Sequence, residues 1–287
     1  MVTLQNKKLS MKIALVGAEP QSLFSKESGI EYLWNGDPQF WARRAPLLFP
    51  MTGPTKDSKI EAAGLTYTMP NNGFARDMAF TLLSHSSDKA TFELQDSETT
   101  LQYYPYGFRL KVTYTLLENG YKAEAEIYAK DDLYCTFGWH PAFSLDINGQ
   151  NTPLESYSVT FEKRECVDRK TPVNGVFVTD KKFLDNSDKL HLNRDQTDKG
   201  PIILNGLSSK HVTLTSKNGK HGVHVERGNM DTLVLWTITP KHAQYLCIEP
   251  MHSFGDTKRE FSLEKMKEVL LLKAGESKVF FSSFHVF

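Results

Sequence analysis

Three cysteines in 287 residues, no surplus of either charge sign and no long apolar run set the first limits on this chain. Cys135, Cys166 and Cys247 are odd in number and each lies in or beside an apolar run. That excludes a disulfide framework and predicts reduced, buried thiols in a cytoplasmic protein. Thirty-four basic side chains balance 34 acidic ones without a basic stripe, so no nucleic-acid partner is expected. The first residues, Met1 to Lys8, have no apolar segment of the secretory kind. Apolar stretches such as Val269–Leu272 are only a few residues long, against the ~20 needed to span a bilayer, so no membrane partner is expected either. The chain also lacks a P-loop, a Rossmann glycine fingerprint and an HExxH metal motif. Nothing in the residues points to a cofactor.

What is present is an ordinary globular composition, 40% hydrophobic and 24% charged. A chain of this size buries about 75% of its unfolded surface, so its core needs no staple. Apolar positions alternate with polar ones. Val112, Tyr114 and Leu116 lead through Glu118-Asn119-Gly120 to Tyr121, Ala123, Ala125 and Ile127, a hairpin with one wet and one buried face. The pattern recurs at Val212/Leu214, Asn218-Gly219 and Val223/Val225, and Ala274-Gly275-Glu276 predicts a hairpin between Val269–Leu272 and Val279–Phe281. Ser10–Val16, Thr91–Leu94, Tyr157–Phe161, Thr232–Thr237 and Tyr245–Ile248 read as further strands. Ser262–Leu272 reads equally as a helical turn or two, or as a loop entering a strand, and the polar stretch Asp180–Gly200 as a surface excursion. Without a repeat, linker or shift in composition, residues 1–287 are expected to form a single all-β domain, a large antiparallel sandwich.

Two segments share an unusual pattern. Cys135–Pro141 is an apolar strand ending in His140 before a proline, and Tyr245–Pro250 one ending in Glu249 before a proline. Proline stops ladder pairing and extends the residue before it, which would place each titratable group at the lip of a sheet among apolar neighbours. Desolvation there raises a carboxyl pKa and lowers an imidazole pKa, the condition for reversible proton shuttling near neutrality. Each is also open to reading as a hydrogen-bonded strand end. Arg43 and Arg44, between Trp41 and Pro46, are either a solvated face or a planar fork for a hydroxylated or anionic ligand. Pro70–Asp77 reads as an Asn-Gly turn followed by an Arg–Asp pair.

In order, the stretches WARRAPLLFPMTG, NNGFARD, FGWHPAF and CIEPMHSFGD resemble the aldose 1-epimerase (galactose mutarotase-like) family, and within it the bacterial mutarotase-related proteins. GAEPQSL and EYLWNGDPQFW fit its N-terminal pattern. The resemblance covers essentially the whole chain. It implies a β-sandwich of galactose mutarotase type (a supersandwich) with a sugar held in an open cleft, and cofactor-free exchange of the α and β anomers of a free aldose. It further implies His140 as general acid, Glu249 as general base and Arg43, rather than Arg44, as a sugar contact. Asn72 stands where the family usually has a second histidine; an amide still exchanges hydrogen bonds but carries no proton charge. Asp198 is the nearest counterpart of a further acidic contact.

Other signals carry less. His221 and His224, three apart on a strand, face opposite sides of the sheet and make no metal pair. His252 is expected in an exposed loop, or at the cleft rim. Trp139 should point into the core, and Trp236 should be either a platform for a sugar ring or buried between sheets. The expected partner is a monosaccharide and the expected state a monomer or homodimer. The rival expectations are a carbohydrate-binding protein without turnover, motivated by Asn72, and an epimerase of phosphorylated sugars using Arg43, Arg44 and Arg76.

Overall fold

The computed structural model describes residues 1–149, 151–173, 176–217, 219–254 and 261–287, without the side chains of 172, 173 and 176. Asn218, Gly255 and Asp256, quoted above, lie outside them.

Alternation produces the expected strands. Phe108–Leu117 and Gly120–Ala129 form the first hairpin, with Val112 opposite Ala125 and Tyr114 opposite Ala123 on the buried face. His211–Ser216 pairs with Gly222–Glu226 as the second. Both belong to one antiparallel sheet of 15 strands, the main layer among the described residues, accompanied by smaller sheets of two and three strands. The large sheet closes over its own core. Ring contacts Tyr114–Trp139 and Phe143–Phe284, at 6.2 and 6.1 Å, join strands far apart in sheet order. One apolar cluster runs from Val2 to Val286.

Two expectations need correction and one open reading is resolved. Val269–Leu272 and Val279–Phe281 form no hairpin: Leu270–Leu272 pairs with Leu133–Cys135 in a separate sheet, while Ser277–Val286 joins the large one. The turn is real, with Glu276 N–H bonded to the Lys273 carbonyl at 2.9 Å, but it hands the chain from one sheet to another. Asp180–Gly200 is no simple excursion, because Val176–His191 is a long strand paired with Tyr157–Val173 and only the short helix Arg194–Thr197 follows. Its polar composition reflects exposure along most of its length, with Leu184 and Leu190 buried. Between Ser262 and Leu272 the loop-into-strand reading holds, with one 3₁₀ turn at Leu263–Lys265.

The loop Pro70–Asp77 is locked against Phe49–Gly53. Ala75 N–H reaches the Phe49 carbonyl at 3.1 Å, and Asn72 N–H the Gly53 carbonyl at 2.9 Å. Gly73 makes this possible. Its φ is 74°, and a Cβ there would be driven into the Phe49 carbonyl. Gly73→Ala should therefore lower unfolding free energy by about 3 kcal/mol. Gly29→Ala, with φ of 70° but open space around its Cβ, should cost about 1–2 kcal/mol. Urea denaturation compares them, and equal losses would rule out the Phe49 contact as the cause.

Candidate functional site

The strand Tyr245–Met251 lies between Thr232–Trp236 on one side and two short strands, Gly138–Trp139 and Ala142–Ser144, on the other. Gly138 falls opposite Met251 and Ala142 opposite Cys247. Position 140 therefore falls opposite position 249. The register alone brings His140 and Glu249 together, with Nε2 and Oε2 3.4 Å apart. Neither sits at a lip. Both are buried, 7% and 2% exposed, and the second strand runs on through Pro250 to Met251. The proline at 141 does interrupt its strand. Trp139 points into the core as expected and packs on Phe137 at 4.8 Å, so His140 faces the other way.

That other face is a cleft of about 180 Å³ lined by Trp41, Asn71, Asn72, Arg76, His140, Trp236, Glu249 and neighbouring residues. It is smaller than the ~300–1,000 Å³ of drug-sized pockets, a volume suited to one small ring. Trp41 stacks on the His140 imidazole at 5.1 Å and on Tyr245 at 5.5 Å, while Trp236 meets His140 edge-on at 5.6 Å. The imidazole is thus held between two indoles. Trp236 is a half-buried cleft wall, so it is not enclosed between sheets.

Burial fixes the electrostatics. The Glu249 carboxyl is pushed well above the usual carboxylate range by desolvation. Desolvation, and then the positive charge of Arg76, pulls His140 down to about 3. Low dielectric disfavours charge on both members. The pair therefore holds one mobile proton between carboxyl and imidazole at neutral pH. Glu249 Oε1 and His140 Nδ1 are both buried without a hydrogen-bond partner, leaving acceptor and donor capacity unspent.

The arginines rearrange the expectation. Arg43 does not line the cleft: its Nη2 is ion-paired with Asp77 Oδ1 at 2.6 Å and its Nη1 donates to the Arg76 carbonyl at 3.5 Å. Arg44 is committed to Gln21 and to the Asn35 carbonyl. Arg76 is the guanidinium that lines the cleft, with Nη2 donating to the Asn71 carbonyl at 2.7 Å and Nε buried without a hydrogen-bond partner. Desolvation lowers it to about 10, still charged at neutral pH. The 77-side of the expected Arg–Asp pair is taken by Arg43, and Arg76 Nε lies 3.9 Å from Asp77. Spacing in sequence could not separate these three cations; the one signal was that Arg76 follows a tight Asn-Gly turn.

Asn72 does line the cleft, in left-handed backbone with φ of 66°. Its Oδ1 accepts from Gly53 N–H at 2.7 Å, so the amide NH2 is the donor left for a ligand. Asp198 does not reach the cleft lining; it pairs with His242 at 3.0 Å. His252 is neither exposed nor on the rim but half-buried against Phe280 at 5.4 Å. His221 contacts Tyr32, whereas His224 lies beside His211 and His285, so the two share no site. All three cysteines are free; Cys135 and Cys247 are buried, but Cys166 is exposed, contrary to expectation, because its stretch of strand has a solvent face. No described helix is long and apolar enough to cross a membrane.

Comparisons with known proteins identify the family and the fold. A family model for aldose 1-epimerase matches residues 1–277. The plasmid-encoded protein LacX of Lactococcus lactis is 28% identical over 271 residues, 90% of this chain and 90% of its own. A Salmonella typhimurium protein provisionally named a glucose-6-phosphate 1-epimerase is 28% identical over 154 residues, 52% of this chain and 46% of its own. Among solved structures, a galactose mutarotase-like protein from Lactobacillus casei matches with a TM-score of 0.92 at 28% identity, covering 100% of both chains. A galactose mutarotase related enzyme from Lactobacillus acidophilus gives 0.87 at 25% identity, covering 99% of this chain and 96% of that one. A sheet fold shared along its whole length and a family match over nearly all of its sequence make one conclusion: the chain belongs to the aldose 1-epimerase family.

Proposed function

We propose that the protein is a cofactor-independent aldose 1-epimerase acting on a free hexose, folded as one unit over residues 1–287, with His140 as acid and Glu249 as base. The observation that carries this reading is the 3.4 Å contact between a buried imidazole and a buried carboxyl on the wall of a one-ring cleft. Hydrogen bonds from the sugar's C1 hydroxyl to Glu249, and from His140 to the ring oxygen, favour the tautomer with the shared proton on His140. Glu249 then takes the hydroxyl proton, the bond between C1 and the ring oxygen breaks, and His140 protonates that oxygen. The open-chain aldehyde faces a neutral pair, the form burial favours. Rotation about C1–C2 presents the other carbonyl face. Neutral His140 then withdraws the proton from the ring oxygen as it attacks C1, and Glu249 returns a proton to the carbonyl oxygen. Atoms and charges balance without another reagent. Arg76 and the Asn72 amide supply the hydrogen bonds that hold the hydroxyls, in the role the resemblance gave to Arg43.

Polarimetry on freshly dissolved α-glucose or α-galactose should show accelerated approach to equilibrium. Glu249→Gln and His140→Asn should each reduce kcat/KM by about 10²-fold or more. Sugar binding by calorimetry without acceleration would sink the catalytic reading and leave a carbohydrate-binding protein.

The rate should also have a characteristic pH profile. Double protonation of the pair removes the base, and a depressed imidazole makes this happen only well below pH 6.5. Loss of the shared proton removes the acid, and a raised carboxyl postpones this to high pH. The kcat/KM plateau should therefore extend below the ordinary histidine value; an acidic limb centred near 6.5 would show an exposed, unperturbed imidazole.

Phosphorylated sugars are the second reading, favoured by the half-buried cation Arg76 in the cleft. Because Arg43 and Arg44 are spent on protein acceptors, one cleft arginine favours the neutral sugar. Glucose should outpace glucose 6-phosphate in a single assay, and Arg76→Met should cost the glucose reaction about tenfold or more. Acceleration confined to glucose 6-phosphate would reverse the assignment.

A further inference from the structure

Beside the proton-sharing pair lies a group that the proposed reaction does not use. Cys247 is two residues before Glu249 on the same strand, so both side chains point to the same face. The thiol is fully buried among Trp34, Ala142 and Tyr245. One donor atom each of His140, Cys247 and Glu249 lies within 4.8 Å of the others. An imidazole, a thiol and a carboxylate are the nitrogen, sulfur and oxygen donors that zinc takes. Metal–ligand bonds of about 2.0–2.3 Å in a tetrahedron imply donors about 3.3–3.8 Å apart. His140 Nε2 and Glu249 Oε2 already stand at 3.4 Å, so only the sulfur has to move closer.

Independently of the cysteine, the same two side chains carry further polar atoms that the protein leaves unsatisfied. His140 Nδ1 and Glu249 Oε1 are buried polar atoms without partners, on side chains that are 8% and 2% exposed and line the cleft.

We propose that His140, Cys247 and Glu249 form an inhibitory site for a thiophilic divalent cation of the zinc type. The cation enters from the cleft, the Cys247 thiol proton and the proton shared by His140 and Glu249 leave to solvent as the three groups coordinate, and a water or chloride fills the fourth position. Hard cations such as magnesium, which require several oxygen ligands, are not held. Because the cation occupies the two groups that a sugar's C1 and ring oxygen must reach, metal and sugar exclude each other. This last consequence rests on the epimerase reading; the binding itself does not.

Cadmium, whose bond to a thiolate gives an ultraviolet charge-transfer band, is the direct probe. The full chain should take up one cadmium ion with that band. Cys247→Ser should abolish it, and Cys166→Ser, which alters the exposed thiol, should leave it. Glu249→Gln keeps the thiol and should weaken binding at least tenfold, which covers the case in which Cys247→Ser fails to fold. Zinc should slow mutarotation competitively with sugar in the wild type, and at least tenfold higher zinc should be needed in Cys247→Ser. The proposal is overturned if the wild type gives no band, if the band survives Cys247→Ser, or if magnesium displaces cadmium. If the band behaves as expected while no sugar is epimerised, the site stands and the epimerase reading alone fails.

Discussion

The cross-strand placement of His140 against Glu249 is the constraint on which the rest of the site depends. In an antiparallel sheet, residues directly opposite each other are brought close by the backbone itself. Here that geometry is applied to two ionisable groups in a strand with neighbours on both sides, away from solvent. An uncompensated buried charge is costly, so the pair resolves the conflict by sharing a proton. The 109-residue separation in sequence disappears because Gly138 and Ala142 pair with the strand that carries Glu249. Pro141 has no N–H to add to the ladder, which lets the chain break its pairing at His140 while the register continues on either side.

Around this pair, Trp236 comes from the neighbouring strand, and the opposite wall comes from segments outside the sheet ladder. Phe49–Thr55 and Pro70–Asp77 hold each other through backbone bonds and through the Asn71 and Asn72 side chains, which accept from Thr55 and Gly53 N–H. Arg43 ties down the end of that loop by binding both Asp77 and the Arg76 carbonyl. Its effect on the cleft is indirect: it fixes where the Arg76 guanidinium stands. The neighbouring cation also helps keep His140 uncharged.

The strand content was legible from alternation, since a period of two survives wherever one face is wet. The pairing of strands was legible only where a short turn forces it. Leu270–Leu272 and Ser277–Val286 satisfy the local hairpin pattern yet belong to different sheets, because partner choice is decided by packing that a window of ten residues does not contain. The same limit governed the arginines. Arg43, Arg44 and Arg76 are chemically alike, and only the tertiary position of Asp77, Gln21 and the Asn35 carbonyl decides which one is left to face the cleft. His140 and Glu249 were readable because two apolar strands broken at proline are unusual, and the ordered family motifs singled them out. Their burial was underestimated, since proline was read as ending a sheet that in fact continues.

Asn72 shows why a departure from the family pattern need not empty the site. The position has left-handed backbone, which asparagine adopts more readily than most residues. It must also accept the Gly53 N–H, which would otherwise lose its partner. A neutral imidazole making that acceptance with one ring nitrogen retains a single N–H for a ligand, whereas the amide retains two. A protonated imidazole would have no acceptor left for Gly53 and would add a second positive charge beside Arg76. With the neutral amide, the turn, a free donor facing the cleft and the uncharged state of His140 are compatible at once. The exchange of histidine for asparagine thus removes a titrating group from the cleft, and under the proposed reaction it leaves proton transfer to the two residues that the sheet register brings face to face.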